Sequence, residues 1–444
     1  MMERLALGVY SSLMQLLSPW VVRRLQRKAR QEPGYMERLQ ERFGVYATEP
    51  SGGYVWIHAV SLGESRAAAV LIQRIRASYP LIRFLLTHGT ATGMQEGMKS
   101  LQPGDVQVWQ PWDTPKAVDR FLAHFKPRLG LLVETEIWPN LIHRARAHQI
   151  PMVLVNARMS TKTFTQSRRW SWLSRPALGS LDFALAQHEQ DANLLRDLGC
   201  RVEQVVGNIK FDAQLNREHL QWGKRWKSLR KQPLVLLASS REGEESLFLD
   251  AIKALHANQP THFAPILWGI VPRHPQRFEE VAALIAAQGF ACIKRSSIED
   301  LQAFSMPESG FEGQVQVFLG DSLGEMNFYD ASANVALLGG SFLPFGGQNL
   351  IEAMACQCPI LLGPHTFNFK EVAQQACASG AASEFGHLTD ALSQALKLLI
   401  QPAELEVMSA KGESFIRTHQ GATERTFKAI EGLLNTQGHS LLDQ

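Results

Sequence analysis

From Tyr54 onward, short apolar runs alternate with segments of helical periodicity, and that rhythm stops once and starts again. Parallel strands need a crossover, usually a helix, so buried runs separated by amphipathic helices predict parallel sheets covered on both faces. The runs at 54–59, 83–87, 106–109, 129–133, 152–156, 183–186 and 202–206 predict the strands of one doubly wound domain. A polar, helix-prone segment, NREHLQWGKRWKSLRKQP at 216–233, interrupts the pattern. It resumes with LVLLASS (234–240), PILWGIVP (265–272), QVQVFLG (314–320), NVALLGG (334–340) and PILLGP (359–364), and from Gly386 to about Leu434 only helices are expected. A chain of 444 residues is too long for one core. The reading is therefore two α/β domains, 31–215 and 234–444, with 216–233 as linker. Two such domains place a cleft at the carboxyl ends of their strands, and the functional loops are expected there.

Charge narrows the partners. The net charge of +3, from 45 basic against 42 acidic residues, gives no argument for nucleic acid. Between Ile137 and Leu181 there is no Asp or Glu, while Arg144, Arg146, Arg158, Lys162, Arg168, Arg169 and Arg175 fall there beside Trp170 and Trp172. Such a stretch fits an anionic partner, a phosphorylated lipid or a membrane surface, or else separately solvated helix faces. Five cysteines in a large chain suggest a reducing compartment. Cys356-x-Cys358 lacks a second pair at ligand spacing and reads as core, so no metal is expected. Leu5 to Val22 is 18 residues without a charge, followed by Arg23, Arg24, Arg27, Lys28 and Arg30. As a helix that run spans about 27 Å against a hydrocarbon core of about 30 Å. No small-residue cleavage site follows, so residues 1–30 read as an uncleaved anchor that keeps the body in the cytoplasm. An interfacial amphipathic helix is the alternative.

The loops after strands carry the chemistry. VPRHPQRF (271–278) sets Arg273 and His274 after a strand, where a guanidinium can grip a phosphate. LGDSLGEMNFYDAS (319–332) ends a strand in Gly320 and opens a helix near Gly324 and Glu325. GGSFLPFGGQNLIEA (339–353) has two glycine pairs around a loop that opens a helix near Asn349. Glycines admit close backbone approach and a helix start offers free N–H groups, so an anionic phosphate is expected here. Glu352 in the first turn could accept both hydroxyls of a ribose, or simply favour the helix dipole by about 0.3–1 kcal/mol. No Walker-type loop occurs and no G-x-G-x-x-G opens either domain, which disfavours a nucleoside triphosphatase or a standard NAD enzyme. The second domain reads as the holder of one nucleotide.

In the first domain, HAVSLGESRAA (58–68) sets Glu64 at the mouth of a helix, with Ser61 and Ser65 able to cap it. The helix dipole should keep Glu64 ionised. VETEIWPNLI (133–142) places Glu134 and Glu136 after a strand, NARMS (156–160) places Arg158, and GNIKFD (207–212) places Lys210. Arg158 and Lys210 are candidates for holding anionic groups, with surface ion pairing as the alternative. Glu134 and Glu136 could form an acid/base couple, but they would point one way only if the strand continued through them.

At these residues the chain resembles the 3-deoxy-D-manno-octulosonic acid (Kdo) transferases of Gram-negative bacteria. The likeness runs over nearly the whole length, through HAVSLGE, ETEIWPN, NARMS, GNIKFD, REGEE, VPRHPQRF, GDSLGEM, GGSFLPFGGQN and GPHTFNFKE. It implies a GT-B glycosyltransferase: two Rossmann-like domains facing across a cleft, with an N-terminal membrane-anchor helix. It implies inverting transfer of Kdo from CMP-Kdo to the lipid A precursor (lipid IVA) in lipopolysaccharide core biosynthesis, without a metal or other cofactor. The setting it implies is the cytoplasmic face of the bacterial inner membrane, with a lipid surface and no nucleic acid as partner. CMP contacts are implied at Pro272, Arg273, Leu323, Gly324, Glu325, Asn349, Leu350, Ile351 and Glu352, and the general base at Glu64.

Where the family usually has G-G-H-N-P-L-E, this chain reads Gly346-Gly347-Gln348-Asn349-Leu350-Ile351-Glu352. Gln348 cannot titrate but can donate a hydrogen bond, and Leu350 forgoes the preorganisation of a first-turn proline. Two other classes share parts of the pattern. A GT-B-shaped nucleotide-sugar 2-epimerase would need neither the anchor nor the acid-free basic stretch. A membrane-tethered nucleotide-binding scaffold would have no use for Glu64, Arg273 and Glu352 together.

Overall fold

The structure, a computed structural model, describes residues 2–30, 32–258, 266–298 and 316–435. Two parallel sheets organise it, each the centre of its own compact unit. The first holds β1 (Val55–His58), β2 (Phe84–His88), β3 (Val106–Trp109), β4 (Leu129–Val133), β5 (Met152–Ala157), β6 (Phe183–Ala186) and β7 (Val202–Val205), in the order β3-β2-β1-β4-β5-β6-β7. The second holds β8 (Leu234–Ser240), β9 (Leu267–Pro272), β10 (Ala291–Lys294), β11 (Gln316–Leu319), β12 (Val335–Leu338), β13 (Ile360–Leu362) and β14 (Ala382–Glu384), in the order β10-β11-β9-β8-β12-β13-β14.

Successive side chains in a strand point to opposite faces, and β1 shows why its run is apolar throughout. Trp56 joins one core with Leu85, Leu132 and Leu154, while Val55 and Ile57 join another with Leu86, Leu131 and Val153. Each sheet reverses its winding once, between β1 and β4 in the first and between β8 and β12 in the second. Crossovers leave such a point toward opposite faces, so the loops part and open a crevice at the carboxyl ends. The two crevices decide where chemistry can sit.

The predicted strands appear within a residue or two, with 265 and 314–315 lying outside the described residues. Edge strands β10 and β14, ACIK and ASE, were not expected; each is short and partly exposed, so neither carries an apolar run. The domain limits need two corrections. Segment 216–233 is not a linker: Arg217–Leu229 is a helix of the second unit, capped by Asn216 Oδ1, which accepts from the Glu218 and His219 amides at 3.0 and 3.1 Å. Its Trp226 is buried against Phe318 and Phe328, with ring centroids 4.9 and 5.7 Å away. The second unit spans Gln214–Thr418, and the chain from His419 rejoins the first. There the helix Ala422–Asn435 buries Phe427, Ile430 and Leu434 in the core of Val55 and Ile57. Helical periodicity shows that a face is buried but not against which sheet.

Candidate active site

Strand β1 ends at His58, and Ser61 caps the helix Leu62–Ser78. Glu64 is tied to the cap: Ser61 Oγ accepts from the Glu64 amide at 3.4 Å and donates to its Oε1 at 2.9 Å, while the Val60 amide donates to Oε2 at 2.6 Å. Ser65 does not cap; its hydroxyl donates to the Ser61 carbonyl at 2.9 Å. The expectation that Glu64 stays fully ionised is overturned. Burial, then the charges of Glu136 and Glu134, push its pKa from 4.5 up to about 7, against the pull of the Val60 and Ser61 hydrogen bonds. A carboxyl so poised is a base of matched strength at neutral pH.

The facing side of the crevice is built by β4, β5 and β7. The chain leaves β4 after Val133, and Glu134 turns it in the left-handed region at φ 65°. The Glu134 and Glu136 side chains therefore take separate partners. Glu134 Oε1 accepts from Lys210 Nζ at 2.6 Å. Glu136 Oε2 accepts from Trp138 Nε1 at 2.6 Å and faces the buried His58 Nε2 at 3.8 Å. Lys210 stands in a turn fixed from β5, where fully buried Asn156 accepts from the Ile209 amide at 3.0 Å. A Cβ added to Gly63 would lie 3.8 Å from Lys210 Nζ, so the ammonium passes close to the Glu64 loop. Arg158 is tied in through its carbonyl, which accepts from the Thr135 hydroxyl. A cavity of about 330 Å³ opens beside the same loop, lined by Val60, Thr90, Trp20, Trp112 and Trp138 among others.

In the second unit the crevice lies between β8 and β12. The Arg273 amide donates to the Ser240 carbonyl at 3.0 Å, and its Nε donates to Gln348 Oε1 at 3.2 Å. Gly346 and Gly347 adopt φ 92° and 75°, and a methyl at Gly346 would collide with Phe367 and Asn368. Gly346→Ala is expected to lower the unit's stability by at least about 1–3 kcal/mol, measurable by thermal denaturation. Asn349 Oδ1 accepts from the Ile351 amide at 3.2 Å. Leu350 and Ile351 are buried, so they offer backbone only, while Glu352 is partly exposed. Glu325 accepts from Arg295 Nη2 at 2.8 Å and from the Ser322 hydroxyl, and Leu323 beside it is exposed.

Sequence reasoning missed Glu244. It is fully buried, and its carboxylate accepts from the amides of Arg241 (2.9 Å), Gly340 (2.6 Å) and Phe342 (3.0 Å). It thereby ties the turn after β8 to the loop after β12. Glu245 beside it accepts from Ser240 Oγ and Arg277 Nη1, both at 2.7 Å. The signal was two adjacent acids ahead of an apolar helix. Cys356 and Cys358 are buried free thiols, and among the described residues no group of three or more His, Cys, Asp or Glu could hold a metal.

A profile described as 3-deoxy-D-manno-octulosonic-acid transferase (kdotransferase) matches residues 37–213, which include Glu64, Glu134, Arg158 and Lys210. The 3-deoxy-D-manno-octulosonic acid transferase of Bordetella pertussis is 42% identical over 438 residues, covering 96% of this chain and 99% of its own. The chain belongs to the Kdo transferase family. Its counterpart in Haemophilus influenzae is 31% identical over 432 residues, covering 96% of this chain and 98% of its own. A Kdo transferase is a glycosyltransferase, and these relatives set aside the epimerase and scaffold alternatives. The UDP-GlcNAc 2-epimerase of Neisseria meningitidis, solved with UDP-GlcNAc, matches with a TM-score of 0.55 at 15% identity over 86% of this chain and 100% of that one. That likeness concerns the fold alone: two Rossmann-like units of the GT-B class.

Proposed function

We propose that this Kdo transferase moves Kdo from CMP-Kdo to a lipid A precursor, lipid IVA, by inverting displacement. The proposed setting is lipopolysaccharide core biosynthesis at the cytoplasmic face of the inner membrane. The observation that carries the reading is Glu64, a carboxyl with a pKa near 7 at the crevice beside β1, next to the Lys210–Glu134 pair. An acceptor hydroxyl against Glu64 gives up its proton as its oxygen bonds to the anomeric carbon. The bond from that carbon to the phosphate oxygen breaks, and CMP leaves with the electron pair. Arg158 is proposed to hold an anionic group of the substrates, as is Lys210, whose ammonium is shared with Glu134.

The donor nucleotide is assigned to the second unit. Pro272 shapes the loop, and Arg273 with the free amides near Asn349 and Leu350 holds the phosphate, meeting leaving-group charge. The Leu323-Gly324-Glu325 backbone lies along the nucleotide, and Ile351 and Glu352 complete the wall, with Glu352 accepting from the ribose. Gln348 supports this reading as a neutral hydrogen-bond acceptor that helps to orient the Arg273 guanidinium. Glu352→Ala is expected to weaken CMP binding about tenfold, the loss of hydrogen bonds to a charged acceptor, as read by calorimetry. Unchanged affinity would move the ribose contact elsewhere.

Incubation with CMP-Kdo and the acylated disaccharide precursor, followed by mass spectrometry of the lipid, tests the whole reaction. Kdo-bearing lipid and released CMP are expected. Lipid of unchanged mass would overturn the choice of substrates. The uncharged run Leu5 to Val22 of the N-terminal helix and the exposed Trp170 and Trp172 support association with the membrane.

A further inference from the structure

We infer that the N-terminal helix lies in the plane of the membrane surface, docked on the first unit, and does not cross the bilayer. The inference rests on the membrane association proposed above and fixes its geometry. The helix Met2–Ala29 is bonded to the body through its middle turns. Tyr10 donates to Asp113 Oδ2 at 2.8 Å, the buried Ser11 donates to Asn140 Oδ1 at 2.9 Å, and Trp112 Nε1 donates to the Met14 carbonyl at 2.9 Å. Asp113 in turn accepts from the Asn140 and Leu141 amides at 3.1 and 2.8 Å, so these contacts belong to the packed body of the unit.

Residues 10–14 sit in the middle of the uncharged run from Leu5 to Val22. If that run spanned a hydrocarbon core of about 30 Å, they would lie near its centre. Asp113 and Asn140 would have to follow them there, which the cost of burying polar groups in hydrocarbon forbids.

The opposite face of the helix explains why the run is apolar. Leu5, Val9, Leu13, Leu16 and Trp20 recur at helical spacing and are exposed, at 72, 59, 52, 79 and 54%. Arg23 and Arg27 continue the same stripe and are exposed. The helix Ser171–Leu178 packs against the N-terminal helix and, with the end of the helix Thr161–Arg169 before it, presents the exposed Trp170, Trp172, Arg168 and Arg169. Apolar side chains edged by arginines and tryptophans are the composition of a helix seated at the boundary of headgroups and acyl chains, and the arginines match anionic lipid.

The test uses the full chain with Cys292 and Cys377, its two partly exposed cysteines, replaced by serine. In one arm Ser11→Cys and Asn140→Cys, whose side chains are in contact, are joined by oxidation to a disulfide, and flotation with vesicles of zwitterionic and anionic phospholipid is compared before and after joining. In the other, Leu13→Cys carries a fluorophore whose quenching by shallow and deep lipid-borne quenchers is measured without touching Asn140. The joined protein should float as fully as the unjoined one, and shallow quenchers should act more strongly. Adding Leu16→Glu should cut vesicle affinity by at least about tenfold. Flotation lost only on joining, or deepest quenching at the bilayer centre, would overturn the in-plane geometry while leaving membrane association standing. Failure of both forms to float would overturn the association itself.

Discussion

Glu64→Gln is expected to lower turnover by about 10²- to 10⁴-fold while CMP affinity stays near that of the wild type. The amide keeps the shape of the carboxyl and can still meet Ser61, but it cannot take a proton. Steady-state rates with CMP calorimetry separate the two effects, and full activity in the variant would remove Glu64 from the role of base. The pH profile carries the sign. A base with a pKa near 7 must lose its proton to work, so the wild-type rate should rise through about pH 7 and level above it.

Stability runs the other way. A carboxyl whose folded pKa exceeds its unfolded value binds its proton more tightly in the folded state, so stability falls as pH rises from 4.5 through about 7. The shift corresponds to roughly 3 kcal/mol once both forms are ionised. Glu64→Gln should therefore raise the melting temperature at pH 8 while it removes activity, the trade expected where a site holds a destabilised group for function.

Glu244→Ala is the second large expectation, and it acts on the other unit. Removing the carboxylate leaves the amides of Arg241, Gly340 and Phe342 without their acceptor. Each buried unpaired donor costs about 1–3 kcal/mol, so the loss should be at least about 3 kcal/mol. For a unit of this size that lowers the melting temperature by about 6–12 °C. CMP affinity should fall as well, because the loop that places the glycines and Asn349 is no longer held. Glu244→Gln keeps one acceptor oxygen and should fall between the two. A melting temperature equal to the wild type's would mean that the glycines alone set the loop.

The alternation of apolar runs was enough to read twelve of the fourteen strands, because parallel strands buried on two faces are predominantly apolar. It failed at the short edge strands β10 and β14, whose sequences ACIK and ASE carry no apolar run. The helix Arg217–Leu229 was legible as a helix but not as part of a unit, since its anchor is one tryptophan in a polar sequence. Glu64 and Lys210 could be named because they follow strands, yet their interplay with Glu134 and Glu136 could not. Which neighbours raise a carboxyl's pKa depends on the order of strands in the sheet, and β1 and β4 are far apart in sequence. Glu244 escaped for a related reason: its partners are backbone amides, which leave no mark in a sequence.

The return of the chain to its first unit bears on how the protein is made. Asp212 accepts from the Gly421 and Thr423 amides, both at 2.6 Å, and Arg74 pairs with Glu424. During synthesis the first sheet emerges early, but the face carrying Val55 and Ile57 waits for Phe427 and Ile430, which follow only after the whole second unit has been made. A nascent chain therefore carries an unsealed apolar surface for most of its translation, the kind of surface chaperones hold. Loss of the helix Ala422–Asn435 should injure the unit translated first, and a nonsense codon just before it should leave insoluble protein.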